Sequence, residues 1–252
     1  MPYYFHVDCG KSLDTTTKAN VMNHLTDSFF YNTILKSMDI CQHHTVLLNI
    51  PEEFRHSTFS LKNDVLHVSC GSYYIFEYGE HRMVSILSGK IDILIWFFFP
   101  DPEWQLPVYA MQFVRLSAKP MIGVLDLPTL YGQDPMIANM MSSHILTDVN
   151  VPYNSDIPPW YAACRSGYDL FTRPDHDDCF IALEKAHLRT LEVINGLTTT
   201  TREMYGSEMD SHAQAIQHYK HHHHINSPGL PLLNNICGKA WTDRFMSEWL
   251  FA

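Results

Sequence analysis

The residues best able to do chemistry sit late in the chain. His221, His222, His223 and His224 form an unbroken run, and His218 lies just before it. On a helix, His218 shares a face with His221 at i,i+3 and with His222 at i,i+4. Two imidazoles at that spacing can ligate zinc or nickel. No H-E-x-x-H and no carboxylate at ligand spacing accompanies them, and a solvated polar helix explains the run without a metal, so no metal site is assigned. Asp175-His-Asp-Asp178 has the composition of a metal loop, yet it follows Arg173-Pro174 and precedes a helical pattern. Acids there cap a helix and complement its dipole. His43-His44 reads as a structural or exposed loop pair. The chain has no G-x-S-x-G, no G-x-G-x-x-G and no P-loop, which sets aside serine-nucleophile, dinucleotide and P-loop chemistry. What remains is aromatic. The run Ile95-Trp96-Phe97-Phe98-Phe99 is apolar on both faces of a strand, as buried core or as the wall of a pocket for a large flat ligand.

These residues need elements to position them. Asp14 to Asp39 reads as one or two helices, with Asp14-Thr-Thr-Thr as cap region. Strands are expected at Val65–Cys70, Tyr73–Tyr78, Met83–Leu87, Ile91–Phe99, Val108–Leu116 and Met121–Leu127, parted by short turn signals such as Cys70-Gly-Ser and Ser88-Gly-Lys. Such short connections make an antiparallel meander. Helices follow at Cys179–Ile194, stopped by Asn195-Gly196, at Met209–His224 and at Ile236–Phe251. Helices, then strands, then helices describe an α+β fold around one central antiparallel sheet.

Of the 252 residues, 46% are apolar, enough for one large core, and residues 1–252 are read as a single domain. The formal net charge is −10, which argues against nucleic acid. No apolar run spans a bilayer, since the greasiest stretch, Ile91 to Pro100, contains Asp92 and is too short. The N-terminus lacks a signal-peptide pattern. A soluble protein is expected, cytoplasmic in a bacterium or in the plastid stroma of a eukaryote, with no nucleic-acid or membrane partner. The six scattered cysteines, without a C-x-x-C, suit reduced thiols.

The stretch Asp92-Ile-Leu-Ile-Trp-Phe-Phe-Phe-Pro-Asp-Pro-Glu-Trp-Gln-Leu-Pro-Val-Tyr-Ala-Met-Gln112 resembles the central hairpin of ferredoxin-dependent bilin reductases, with their phenylalanine-proline-acid-proline turn. Similar patterns follow in order: Ile122-Gly-Val-Leu-Asp-Leu-Pro128, Ile157-Pro-Pro-Trp160, Leu170-Phe-Thr-Arg-Pro174, Gln217-His-Tyr, Asn226-Ser-Pro-Gly and Gly238-Lys-Ala-Trp through Phe251. The likeness spans about Tyr73 to Phe251. It implies a three-layer α/β/α sandwich, a biliverdin-type substrate and reduced ferredoxin as electron donor, with no bound flavin, nicotinamide or metal and a monomeric state. Single-electron delivery implies substrate radicals, with the protein supplying protons in a dry site. Ferredoxins are acidic, so local positive charge is expected to meet them, from Arg82, Lys90, Arg115, Lys119 and Lys239.

The chain departs from the family at its acids. The usual catalytic aspartate falls on Gln112, a histidine or aspartate position on Ile95, a glutamate position near Ile86, and a loop aspartate on Ser227; Asn226 matches an asparagine of some members. Phytochromobilin synthases resemble the chain at Gln112, where they too carry an amide. Gln112 can hydrogen-bond pyrrole nitrogens or lactam oxygens but cannot act as a carboxylic acid. Proton donors are therefore sought in His81, in His218 or the histidines near Asn226, in Asp126 or in bound water. Gln112, His81, Asn226 and His218 are the catalytic candidates; Ile86, Ile95, Phe97 and Ser227 are expected to contact substrate. The reading is a bilin reductase with rearranged donors acting on biliverdin or a dihydrobiliverdin. The alternatives are a bilin-binding protein without turnover and a reductase of a linear chlorophyll catabolite.

Overall fold

The structure is a computed structural model that describes residues 25–252, apart from 43–44, 129, 131–134 and 153–155. Cys9, His43-His44 and the expected cap at Asp14 lie outside the described residues. Eight antiparallel strands form one sheet. In chain order they are β1 (Thr45–Leu47), β2 (His56–Leu61), β3 (Asp64–Ile75), β4 (Gly79–Leu87), β5 (Ile91–Pro100), β6 (Tyr109–Leu116), β7 (Lys119–Asp126) and β8 (Leu170–Thr172). Strands β3 to β8 lie side by side in sequence order, and β1 and β2 both pair with the outer edge of β3.

Helices α1 (Tyr31–Gln42) and α5 (Asp178–Leu197) cover one face of the sheet. Phe30, Ile34, Phe180, Leu183 and Leu191 pack there against Trp96, Phe98, Tyr109 and Phe113. The other face is covered by α6 (Ser207–Asn226), α7 (Leu230–Cys237) and α8 (Lys239–Arg244), the last continuing as a π-helical turn, Phe245–Leu250. Their Tyr219, Leu233, Phe245 and Trp249 pack on Val84, Ile86, Phe97 and Val108. Short helices α2 (Glu52–Arg55), α3 (Pro135–Met140, continuing as a π-helical turn, Met141–Ile145) and α4 (Pro159–Ala162) complete the described elements. The expected α+β sandwich of three layers is therefore the fold. Burial on both faces explains why β5 reads as a nearly unbroken apolar run. Gly123 marks the closest approach of α5, because a Cβ there would lie 2.5 Å from Leu183 Cδ1.

Four expectations need correction, the first being the stop at Asn195-Gly196, which α5 passes through to reach Leu197. Cys70-Gly-Ser is not a turn, for β3 runs straight through it and Gly71 pairs with Met83. The Tyr73 ring folds over Gly71, where a Cβ would stand 2.9 Å from its hydroxyl, so this glycine serves packing. The chain instead reverses at 76–78, where Glu77 has a positive φ of 68°. Ile236–Phe251 is not one helix, because Gly238, at φ 84°, parts α7 from α8. The acids at 175–178 do not cap α5 through their side chains; Asp177 forks onto Arg115 at 2.9 and 2.6 Å.

The five described cysteines are free thiols. No described helix is long and apolar enough to cross a membrane.

Candidate active site

Strand alternation decides what can reach a pocket. On the α6–α8 face the sheet presents Val84 and Ile86, Ile93, Ile95 and Phe97, then Ala110 and Gln112, then Val124. Gln112 pairs with Ile95 on one side and Val124 on the other, so its amide rises from the middle of an apolar floor. A cavity of about 70 Å³ lies over this floor. Trp160 and Tyr161 of α4 close one side. His223 and Ser227, from the end of α6, and Leu233, Phe245 and Leu250 form the roof.

Gln112, Ile86, Ile95, Phe97 and Ser227 are thus brought together. The Gln112 amide is half-buried and has no hydrogen-bond partner among the described residues. Among the described residues no carboxylate lines the cavity.

The other expected residues fall elsewhere. His81 lies an odd number of positions from Ile86, and its side chain goes to the opposite face. There it is fully buried and accepts the Trp96 indole N–H at Nδ1, 3.0 Å away. Burial pulls its pKa down to about 3, so it stays neutral. His218 is exposed, because the buried stripe of α6 is His212, Ile216, Tyr219, Lys220 and His223. Asn226 is exposed and turns back onto its own helix, donating to the His222 carbonyl at 3.0 Å.

The histidine that reaches the cavity is His223. Its ring packs against Trp160, Tyr219, Phe97 and Phe251, and its Nε2 is 3.5 Å from Cys164 Sγ. Burial, with His222 beside it, lowers its pKa to about 3. The run 221–224 therefore splits by helical phase. His221 faces solvent, His222 meets the Trp160 carbonyl at 2.6 Å, and His223 points inward. Among the described residues one group is close enough for a metal, Asp175, His176 and Cys179, and it lies at the start of α5.

A buried acid stands behind the α4 wall. Asp126 ends β7 on the cavity face, 1% exposed. It accepts from the Ser166 N–H at 3.1 Å and stands 3.4 Å from the Tyr161 hydroxyl, which donates to Asp169 at 2.9 Å. Asp169 pairs with Arg165 at 2.6 Å. Burial first, and then the Asp169 charge, raise Asp126 to about 7.

A wider open groove of about 660 Å³ lies at the 87–92 end of the sheet. Of its charged groups, Asp92 accepts from Ser28 and the Phe29 N–H, Arg115 holds Asp177 and Asp64 accepts from the Gly89 N–H, while Asp27 and Lys90 are exposed.

The sequence profile of the family described as ferredoxin-dependent bilin reductase matches residues 40–252. The chain is 23% identical over 177 residues to the phycocyanobilin:ferredoxin oxidoreductase of Gloeobacter violaceus, covering 68% of each chain. Its fold is similar to the crystal structure of phytochromobilin synthase from tomato in complex with biliverdin, with a TM-score of 0.75 at 20% identity over 88% of this chain and 82% of that one. It is also similar to the structure of a protein designated PcyX, with a TM-score of 0.54 at 13% identity over 87% of this chain and 96% of that one.

Proposed function

The chain belongs to the ferredoxin-dependent bilin reductases, and from that premise we propose that it reduces biliverdin IXα or a dihydrobiliverdin to a phytobilin. Single electrons come from reduced ferredoxin and pass through substrate radicals. Protons come from the protein. No bound flavin, nicotinamide or metal takes part.

The observation that carries this reading is Gln112, an unpartnered amide in the centre of an apolar cavity. A linear tetrapyrrole has a polar centre of pyrrole nitrogens inside a flat apolar body, and the amide can both donate to it and accept from it. Apolar walls exclude water and keep reactive intermediates from side reactions. Ligands of this size occupy several hundred Å³, so the roof must lift from the floor to admit one. The part of the roof built by α7, α8 and the turn after them is suited to that, being short helices parted at Gly238 rather than one rigid rod. His223 and Ser227 descend from it and would meet the ligand opposite Gln112.

A second reading, bilin binding without turnover, is favoured by one observation, that no carboxylate among the described residues lines the cavity. Anaerobic incubation with biliverdin and a reduced-ferredoxin system separates the two. A shifted visible spectrum followed by new products on chromatography is expected. A shifted spectrum without products favours the binding protein, and no shift removes the cavity assignment.

A further inference from the structure

We propose that Asp126 is the proton store for reduction in the cavity, acting from behind the Tyr161 wall and through His223. The proposal rests on the reductase reading. It deepens that reading by naming where the proton comes from when the family's usual acids are replaced by Gln112, Ile95 and Ser227.

The geometry carries it. Asp126 is on the same face of the sheet as Gln112, and its ladder partner, Ala110, lines the cavity. Tyr161 belongs to both sites. Its ring lines the cavity, and its hydroxyl stands between Asp126 and Asp169. The contacts assign the protons. The Tyr161 hydroxyl gives its one hydrogen to Asp169, whose other oxygen takes the Arg165 Nε–H at 2.6 Å. The Asp126 Oδ2, which also accepts the Ser166 N–H at 3.1 Å, is then best matched to the phenol oxygen as a carboxylic acid donating to it, because a carboxylate oxygen would meet the phenol's lone pairs. The pKa of about 7 agrees.

Cys164, in the field of both acids and in contact with His223, is the group that would link them to the cavity. Both carboxylates act on this thiol, which burial holds at about 12, and its Sγ is 3.5 Å from His223 Nε2. The titratable and charged groups facing Asp126 are Tyr161, Cys164, Arg165 and Asp169 from α4 and the chain after it, and Tyr219 from α6; His223 lies beyond Cys164. His223 takes up a proton at Nε2 as it gives one from Nδ1, so it begins and ends neutral.

The step balances as follows. One electron from a reduced ferredoxin makes the bound bilin a radical anion. One proton moves to it from His223, and the Asp126 proton refills the chain, leaving a neutral bilin radical and an Asp126 carboxylate. Solvent reprotonates Asp126, and a second ferredoxin electron with a second proton completes the two-electron reduction.

The test uses the full chain, biliverdin and a reduced-ferredoxin system, from acid to alkaline pH. Turnover by the parent should fall as pH rises through about 7, where Asp126 loses its proton. Asp126→Asn keeps the shape and should keep the biliverdin spectrum. Its turnover should drop about 100-fold, the step near pH 7 should vanish, and the radical should accumulate in electron paramagnetic resonance. Parent-like turnover and pH profile in Asp126→Asn would overturn the proposal. Should that variant not fold, Tyr161→Phe and Cys164→Val interrupt the same route, and parent-like turnover in both is equally fatal. Infrared spectroscopy separates this proposal from the reductase reading. A carboxylic-acid band that titrates near pH 7 in the parent and is missing in Asp126→Asn establishes the acid without any turnover. A parent that shows that band yet never reduces biliverdin overturns the reductase reading and the supply role, but not the protonated Asp126. A parent that reduces biliverdin without the band overturns the proposal alone.

Discussion

The two faces of the sheet carry similar residues and put them to different uses. Under α1 and α5, the polar groups are locked to one another. His187 sits between the Tyr109 hydroxyl at 2.7 Å and Ser37 Oγ at 2.8 Å, and the Trp96 indole is held by His81. Even the leftover Nε2 of His81, buried without a partner, is sealed among close-packed rings. Under α6 to α8, Gln112 is also without a partner, but it faces a cavity. An unsatisfied polar atom in solid packing is a cost of the fold, whereas one aimed into space is a means of recognition. Residue type alone does not tell these cases apart; the neighbours on the same face do.

The largest effect that would break this comparison is on the packed face. Phe113→Ala removes a fully buried ring from among Phe30, Phe180 and His187. It should cost about 3–5 kcal/mol of stability by denaturant titration, while the protein that remains folded binds biliverdin like the parent. A bilin spectrum altered in that folded fraction would show the two faces to be coupled.

On the cavity face the order reverses. Gln112→Leu should leave stability nearly unchanged and weaken bilin binding by about 1–3 kcal/mol, since the ligand's polar centre stays desolvated without its partner. Gln112→Asp puts a carboxyl in contact with the ligand and should speed or redirect reduction if proton supply limits the rate. Parent-like binding and products in both variants would remove Gln112 from the site.

The sequence carried the layer order and the floor of the cavity, because alternation and apolar runs are local signals. Ile86, Ile95, Phe97 and Gln112 follow from them once the hairpin resemblance is seen. It did not carry β2 or β8, whose pairing depends on distant partners, nor the break at Gly238. The misplacement of His81 is instructive. Nearness in sequence to a site position means nothing in a strand unless the parity matches. His218 failed for the corresponding helical reason, and only the phase of α6 singles out His223 from its neighbours. Asp126 stood in sequence only as one donor candidate among several, since its raised pKa comes from a burial that no local pattern reports and from Asp169, 43 positions onward.

The smallest expected effect concerns charge, where the comparison extends to the cations. On the cavity face they are anchors. Arg82 is buried, pairs with Glu80 at 2.6 Å and donates to the Trp249 carbonyl; Lys220 is held by the Ala252 carbonyl at 2.5 Å and lies over Phe99. Arg82 therefore leaves the set expected to meet ferredoxin. Arg115 is committed to Asp177, and Lys239 to Asp243. Lys90 and Lys119 remain, both exposed on adjacent hairpin turns tied by the Ser117 N–H to the Lys90 carbonyl at 2.7 Å. An exposed pair of charges steers an acidic partner without holding the fold together, so its influence should be kinetic and screened by salt. Lys90→Glu combined with Lys119→Glu should leave biliverdin binding and stability unchanged and slow ferredoxin-driven turnover about threefold to tenfold at low ionic strength. Parent and variant should converge as salt rises past roughly 0.3 M, where the screening length falls to a few ångströms. Equal rates at low salt would mean that ferredoxin meets the protein elsewhere, and a loss of stability would mean that these lysines, like Arg82, are structural.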